Sequence, residues 1–271
     1  MPELPEVETV VRDLRPLLVG RELRAIRRSK QALRVKWQKG WEKAIAGKRV
    51  AGIQRRGKWI RVDLDDGSLL IVHLGMTGQL TVVAASEVVP SHTHLVFELD
   101  QPQELRFRDV RRFGSMTFYP RAEEWEVVLS GKLGPEPWDM PQEQWHQALK
   151  GTKRNLKAAL LDQRLIAGVG NIYADESCFV AGLDPRRSGS SLRPKERDRL
   201  LDAILMVLTR AIECRGSTIR DYIGGSGLQG GYQGEFVAYG RTGEPCVKCG
   251  SPIQCIRLAG RSTHFCARCQ K

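Results

Sequence analysis

The sequence predicts an α+β fold in which a mostly antiparallel β domain comes first, a helical region follows and a zinc-binding hairpin ends the chain. Three observations predict this order. The first half has apolar runs separated by turn residues, the second half has helical periodicity, and four cysteines form two close pairs near the C-terminus. With 271 residues, 41% of them hydrophobic, the chain can form one large domain or two smaller ones around a real core.

The β domain is expected to span residues 1–130 and to begin with a helix. Apolar residues recur at helical spacing after Pro5, and Gly20 is a plausible stop. Strand signals follow, of which the clearest is RVDLDDGSLLIVHL, where Asp66-Gly67 separates two apolar runs as in a β-hairpin. HLVFEL, ELRFRD and SMTFY indicate further strands.

The helical region is expected over residues 151–236, after a linker at 131–150. The stretch LGPEPWDMPQ, with three prolines and a glycine, is the best linker candidate. Helical patterns follow in NLKAALLDQRLI, in IYADESCFVAGL and from Lys195 to Cys214. The stretch GGSGLQGGYQGE predicts a mobile loop.

The last segment, 237–271, contains a zinc-site pattern. Its ligands would be Cys246, Cys249, Cys266 and Cys269, spaced C-x2-C-x16-C-x2-C. Four thiolates complete a tetrahedral shell and leave no open position, so the metal would be structural. Two redox dithiols or a chance spacing are the alternatives. Arg261 is expected at the tip of the hairpin, where its guanidinium could bind a phosphate or simply face solvent.

The charge is concentrated in one stretch. The formal net charge is +12 and the pI is about 9.6. The 14 Lys and Arg and two Glu between Arg21 and Lys58 give +12 by themselves, so the remainder is neutral in sum. A nucleic-acid partner or a solvated basic face would explain this equally well.

No run resembles a membrane span or a signal peptide, which predicts a cytoplasmic protein with reduced thiols. Cys178, Cys214 and Cys255 are isolated and are expected to be buried thiols.

The chain begins MPELPEVETV, and Pro2 follows the initiator methionine. Removal of Met1 would leave a secondary amine with a pKa of about 7.7–8.0, which could attack an aldehyde-like carbon and form an iminium. Glu3 could donate or relay a proton. A helix start explains the same residues, because Pro5 suits a first turn and the acids suit its positive end.

The segments PELPEVE, RRGK, HLGMTG, DVRRFG, LGPEP, GVGNIYADE and GRSTHFCARCQ, in this order, resemble bacterial formamidopyrimidine-DNA glycosylases over essentially the full chain. The resemblance implies an N-terminal antiparallel β-sandwich with flanking helices, a helix–two-turns–helix motif and a zinc finger with one structural zinc ion. It also implies a base excision repair enzyme that removes oxidised purines such as 8-oxoguanine and formamidopyrimidines from duplex DNA. Such an enzyme then cuts the abasic site by β- and δ-elimination.

The resemblance assigns catalytic roles to four residues. Pro2 would attack the sugar C1′, and Glu3 would be the acid that helps open the sugar ring. Lys58, in RRGK, matches a lysine linked to β-elimination and phosphate contact. Arg261 matches the arginine of δ-elimination and phosphate binding.

Further residues match DNA contacts of the family. Met76, Arg111 and Phe113 match the trio that fills the hole left by the flipped base, with Arg111 on the orphaned cytosine. His92 matches a DNA-contacting histidine, and Asn171 lies in GVGNIY, which matches the helix–two-turns–helix motif. Lys153 and Lys157 precede that motif and are candidate phosphate contacts. Without the resemblance, Met76 and Phe113 would be interpreted as strand core and His92 as a surface histidine. The glycine-rich loop after Tyr222 matches the segment that closes over the everted base.

Two positions depart from the family pattern. Arg215-Gly216 stands where two glycines are frequent before Ser-Thr, and Thr77 stands where some relatives carry an acid, so no base-reading role is assigned to it. Endonuclease VIII-type enzymes, which prefer oxidised pyrimidines, and a non-catalytic zinc-finger DNA-binding protein are the rival interpretations. We expect a monomer that binds damaged double-stranded DNA and no membrane.

Overall fold

The structure is a computed structural model that describes residues 1–218, 224–225 and 227–271. The chain divides into two compact units. The first unit contains residues 1–130 and 214–231, and the second contains residues 131–213 and 232–271.

The first unit is built on eight antiparallel strands in the order β5-β7-β6-β1-β2-β3-β4-β8. The strands are β1 (Glu22–Arg28), β2 (Lys48–Arg56), β3 (Trp59–Leu64), β4 (Leu69–His73), β5 (Gly78–Ala84), β6 (Thr93–Leu99), β7 (Gln103–Asp109) and β8 (Ser115–Tyr119). The helices of this unit are α1 (Leu4–Leu18), α2 (Trp41–Ile45) and α3 (Ala122–Leu129).

The eight strands form two four-stranded halves that meet at one corner. Only two residue pairs, Glu22↔Arg49 and Leu23↔Lys48, join β1 to β2. Both halves and helix α1 contribute to one buried core, which includes Phe97 and Phe107 from one half and Ile60 from the other. The predicted N-terminal antiparallel domain with flanking helices is thereby confirmed.

Helix α1 forms where the sequence predicts it. Pro5 lies in its first turn, and the backbone N–H of Glu3 donates to Glu6 Oε2 at 2.8 Å. Its apolar face, from Leu4 to Leu18, is buried in the core. Gly20, at φ 83°, ends the segment with a left-handed residue that glycine adopts at no steric cost.

The second unit is helical, with α4 (Gln142–Lys150), α5 (Leu156–Leu161), α6 (Asn171–Ala181) and α7 (Pro194–Glu213). Helix α4 lies in the range 131–150 that was predicted to be a linker. Its Trp145 is fully buried, and the indole N–H donates to Arg197 O at 2.8 Å, so this part of the range is packed structure.

The zinc-binding segment belongs to the second unit and contains the hairpin of β9 (Gln254–Leu258) and β10 (Arg261–Phe265). A two-residue turn joins the strands, with Ala259 at φ 48° and Gly260 at φ 72°. None of the helices within the described ranges combines the length and the apolar character that a membrane crossing requires.

Candidate active site and DNA interface

The predicted nucleophile and acid lie at the start of helix α1. Pro2 and Glu3 are buried, whereas Met1 before them is 53% exposed. Glu6, one turn into the helix, holds this end in place, since its second carboxylate oxygen accepts the Ser217 N–H at 2.7 Å. One buried carboxylate therefore ties the backbone of Glu3 to the segment that precedes the glycine-rich loop.

Arg215 and Gly216 shape that segment. Arg215 has φ 63°, a left-handed conformation that favours glycine, and its guanidinium pairs with Asp13 at 2.7 Å. Gly216 has φ 75°, and a Cβ there would lie 2.9 Å from Glu6 Oε1. The departure from two glycines is accommodated because Asp13 binds the arginine, whereas the second glycine is required by contact with Glu6.

Lys58 is the second residue of the two-residue turn between β2 and β3, and it is almost fully buried. His73, which sequence reasoning missed, is close enough to Lys58 to respond to its charge. Burial has the largest effect on the imidazole, and the charges of Lys58 and Arg34 act in the same direction, so its pKa falls to about 4. His73 Nδ1 accepts the Gly75 N–H at 3.1 Å, so the neutral ring carries its proton on Nε2. The only signal in the sequence was its place in HLGMTG.

Met76, Arg111 and Phe113 come together on two adjacent turns outside the strands. Met76 is 41% exposed and Phe113 is 44% exposed, which excludes the strand-core interpretation. The guanidinium carbon of Arg111 lies 4.5 Å from the centre of the Phe113 ring. The turns are in contact, because a Cβ on Gly75 would lie 2.4 Å from Gly114 N.

His92 is exposed and lies beside the same turns. It has φ 65°, and its carbonyl accepts the Asp109 N–H at 3.0 Å. This position is compatible with the DNA contact that was predicted for it.

Asn171 and Arg261 lie in the second unit and line one open pocket. Asn171 begins helix α6, and its Nδ2 donates to Ser262 Oγ at 3.4 Å. The pocket, about 520 Å³, is also lined by Arg257 and Gly260. Backbone N–H groups at a helix start and two guanidinium groups suit a phosphate.

Lys153, also predicted to contact DNA, is exposed.

Lys157 does not have the direct phosphate contact predicted for it. Its side chain is 0% exposed, and Nζ donates to Asn171 O at 2.7 Å and to Asp175 Oδ1 at 2.6 Å. Asp175 Oδ2 in turn accepts the backbone N–H of His264 at 2.9 Å. Lys157 therefore supports Asn171 from inside the unit. A buried charge needs a partner of this kind, and a sequence motif does not show burial.

The four predicted zinc ligands form one cluster. Their sulfur atoms all lie within 4.8 Å of one another, with Cys246 Sγ 3.9 Å from Cys269 Sγ and Cys249 Sγ 3.5 Å from Cys266 Sγ. A tetrahedral site with Zn–S bonds of about 2.3 Å has sulfur–sulfur edges of roughly 3.8 Å. The cysteines therefore fit one structural zinc ion, and this prediction is confirmed.

The three isolated cysteines differ from one another. Cys178 is buried, which raises the pKa of its thiol to about 12. Cys214 is half-buried, and Cys255 is exposed on β9, so the prediction of a buried thiol is wrong there.

The predicted lid falls partly on residues 219–223 and 226, which lie outside the described residues.

Three family models match successive parts of the chain. They are the formamidopyrimidine-DNA glycosylase N-terminal domain over residues 1–116, the H2TH domain of the same enzymes over 133–222, and a zinc finger found in FPG and IleRS over 243–271. The chain belongs to the formamidopyrimidine-DNA glycosylase family.

Individual members of the formamidopyrimidine-DNA glycosylase family match over their whole length. The chain is 44% identical to the enzyme of Herpetosiphon aurantiacus and 42% identical to that of Listeria innocua, with full coverage of both chains in each case. It is similar to the Lactococcus lactis Fpg solved with DNA containing N7-benzyl-Fapy-dG, with a TM-score of 0.92, 36% identity and full coverage of both chains. It is also similar to the Thermus thermophilus MutM, with a TM-score of 0.88, 43% identity, and coverage of 99% of this chain and 98% of that chain.

Proposed function

We propose that this protein is a bifunctional DNA glycosylase and AP lyase that removes oxidised purines, such as 8-oxoguanine and formamidopyrimidines, from duplex DNA in the cytoplasm. The observation that carries the proposal is the full-length family match, together with Pro2 and Glu3 at the N-terminus of a buried, capped helix. The named relatives are formamidopyrimidine-DNA glycosylases, and the Lactococcus lactis neighbour binds DNA with a formamidopyrimidine lesion.

The chemistry begins after removal of Met1, which frees the secondary amine of Pro2. The amine attacks C1′ of the damaged nucleotide, the glycosidic bond breaks, and the base leaves with its electron pair and takes up a proton. Glu3 protonates the sugar ring oxygen as the ring opens, which gives an iminium between Pro2 and C1′. Loss of a proton from C2′ then expels the 3′ phosphate, and a second elimination expels the 5′ phosphate.

Other groups hold the DNA while this happens. Lys58 and Arg261 bind phosphates near the lesion, with His73 assisting Lys58 and Asn171 assisting Arg261. Phe113 and Met76 enter the space left by the flipped base, and Arg111 donates to the orphaned cytosine. The zinc ion stabilises the hairpin that carries Arg261.

Borohydride trapping tests this proposal. The protein is mixed with duplexes that carry 8-oxoguanine opposite cytosine, dihydrothymine or a plain abasic site, and intact mass shows whether Met1 is lost. We expect a covalent adduct on the 8-oxoguanine duplex, little on dihydrothymine, and no adduct with Pro2→Gly. Pro5→Ala is the matched control, because a helix-start role alone would make Pro5 the more important proline.

Each alternative predicts a different result. An adduct only on dihydrothymine would assign the protein to the branch that acts on pyrimidines. A retained Met1, or binding without any adduct, would leave a DNA-binding relative with no lyase chemistry.

A further inference from the structure

Asp109, the last residue of β7, organises the turn that carries Arg111 and Phe113. Its side chain is fully buried. One carboxylate oxygen accepts the Thr77 hydroxyl and the Arg111 N–H at 3.2 Å, and the other accepts the Gly114 N–H at 2.7 Å. Three donors therefore converge on one carboxylate, and two of them belong to the backbone on either side of Phe113.

Thr77 completes this arrangement from the neighbouring turn. Its hydroxyl donates to Asp109 and accepts the Arg111 N–H at 3.1 Å, so a single oxygen serves as both donor and acceptor. The residue is buried, and the following residue, Gly78, pairs with Asp109 across β5 and β7. Thr77 thus links the turn of Met76 to the turn of Arg111 and Phe113.

We propose that Thr77 and Asp109 are positioning residues that fix Arg111 and Phe113 before DNA binds and thereby determine how the protein discriminates between bases opposite the lesion. This inference rests on the proposed function, because it takes Arg111 as the group that contacts the opposite base. Thr77 has no base-reading role in it and acts entirely through Arg111 and Asp109.

The physical reason is preorganisation. Arg111 and Phe113 are exposed and belong to a short turn, so holding them in one geometry during binding costs conformational entropy. The buried carboxylate fixes the backbone on both sides of Phe113, and the guanidinium already lies over the phenylalanine ring. A donor fixed in this way forms a good hydrogen bond only with an acceptor in one position. Discrimination between cytosine and adenine requires this, because the two bases present their acceptors differently.

The first test measures binding to a duplex with a tetrahydrofuran abasic analogue opposite cytosine or adenine. Binding to this analogue needs no bond cleavage, so it remains informative if the proposed lyase chemistry fails. The variants are Thr77→Val, which keeps the shape without the hydroxyl, Thr77→Ser, which restores it, and Asp109→Asn. Thr81→Val, on strand β5, which begins directly after Thr77, lies outside this network and is the matched control.

We expect the wild type to prefer cytosine and the ratio of the two affinities to fall about tenfold in Thr77→Val, as the loss of a buried hydrogen-bonding group predicts. Asp109→Asn should lose at least as much. Thr77→Ser should stay within about twofold of the wild type, and Thr81→Val should be unchanged. Affinity for undamaged duplex should be the same in all of them, because phosphate contacts dominate it.

The second test measures hydrogen exchange, without DNA, of peptides that contain Arg111 and Gly114. These amides should exchange faster in Thr77→Val and Asp109→Asn than in the wild type and Thr77→Ser. Unchanged exchange would overturn the network itself. Faster exchange with an unchanged ratio of affinities would show that the network only stabilises the fold. A wild type without preference for cytosine would overturn the role in discrimination.

Discussion

His73 pairs with Trp59 across β4 and β3, and the two ring centres are 4.6 Å apart. Burial has the largest effect on its titration, and the positive charges of Lys58 and Arg34 act in the same direction, so the pKa falls from 6.5 to about 4. This shift makes the stability of the unit depend on pH.

The sign of that dependence follows from proton binding. Between about pH 6.5 and pH 4 the unfolded chain protonates His73 and the folded chain does not. The free energy of unfolding therefore falls as the pH falls through this window. Lys58→Met removes one of the charges, so we expect a higher pKa of His73 and a smaller loss of stability on acidification.

NMR titration of the imidazole, with urea unfolding at several pH values, measures both effects. Arg121→Met is the matched control, since it removes a positive charge just beyond the far end of β8. A pKa of His73 that is the same in the wild type and Lys58→Met would contradict the assigned electrostatic cause.

Helix α1 and the zinc cluster could be predicted from the sequence because their signals are local. The helix depends on a proline, acids and a 3.6-residue period, and the metal site on the spacing within two CxxC pairs. Lys157 and Asp109 could not be predicted in this way. Their roles depend on burial and on partners such as His264 and Thr77, which are brought close only by the fold.

The buried ion pair of Lys157 links three elements of the second unit, helices α5 and α6 and strand β10. Both Lys157 and Asp175 have side chains that are 0% exposed. Lys157→Met would leave the Asp175 carboxylate buried with only its contacts to His264, so we expect a loss of about 3–5 kcal/mol. Hydrogen exchange of peptides from α5 and α6, with urea unfolding, measures this loss within the unit.

Two further variants distinguish charge from packing. Lys153→Met alters an exposed lysine and should cost less than about 0.5 kcal/mol. Lys157→Met combined with Asp175→Asn removes both charges and should recover a large part of the stability. If the double variant lost as much free energy of unfolding as Lys157→Met and Asp175→Asn lose together as single variants, lost packing rather than an unpaired charge would be the cause.

The net charge of the whole molecule is distributed less simply than the sequence indicates. Several cations between Arg21 and Lys58 are paired with acids within the fold, for example Arg28 with Glu42 at 2.9 Å and Arg49 with Glu22 at 3.1 Å. Apart from Arg24 on β1, the exposed cations of this stretch for which the structure gives no ion pair with a described acid lie between β1 and the end of α2. They are Lys30, Arg34, Lys36, Lys39 and Lys43.

These five residues form a basic segment whose charge is available to DNA phosphates. Each phosphate contact contributes about −0.9 to the slope of log K against log salt concentration on duplex DNA. If the basic segment follows the DNA backbone, Lys36→Gln with Lys39→Gln should make that slope less negative by about 1 to 2. The preference for damaged DNA should be unchanged, because phosphate contacts carry no sequence information. Lys132→Gln with Lys195→Gln alters two exposed lysines of the second unit and changes the net charge equally. Equal slopes for the two double variants, measured by fluorescence anisotropy from 50 to about 200 mM salt, would show that only the total charge matters and that the position of the segment does not.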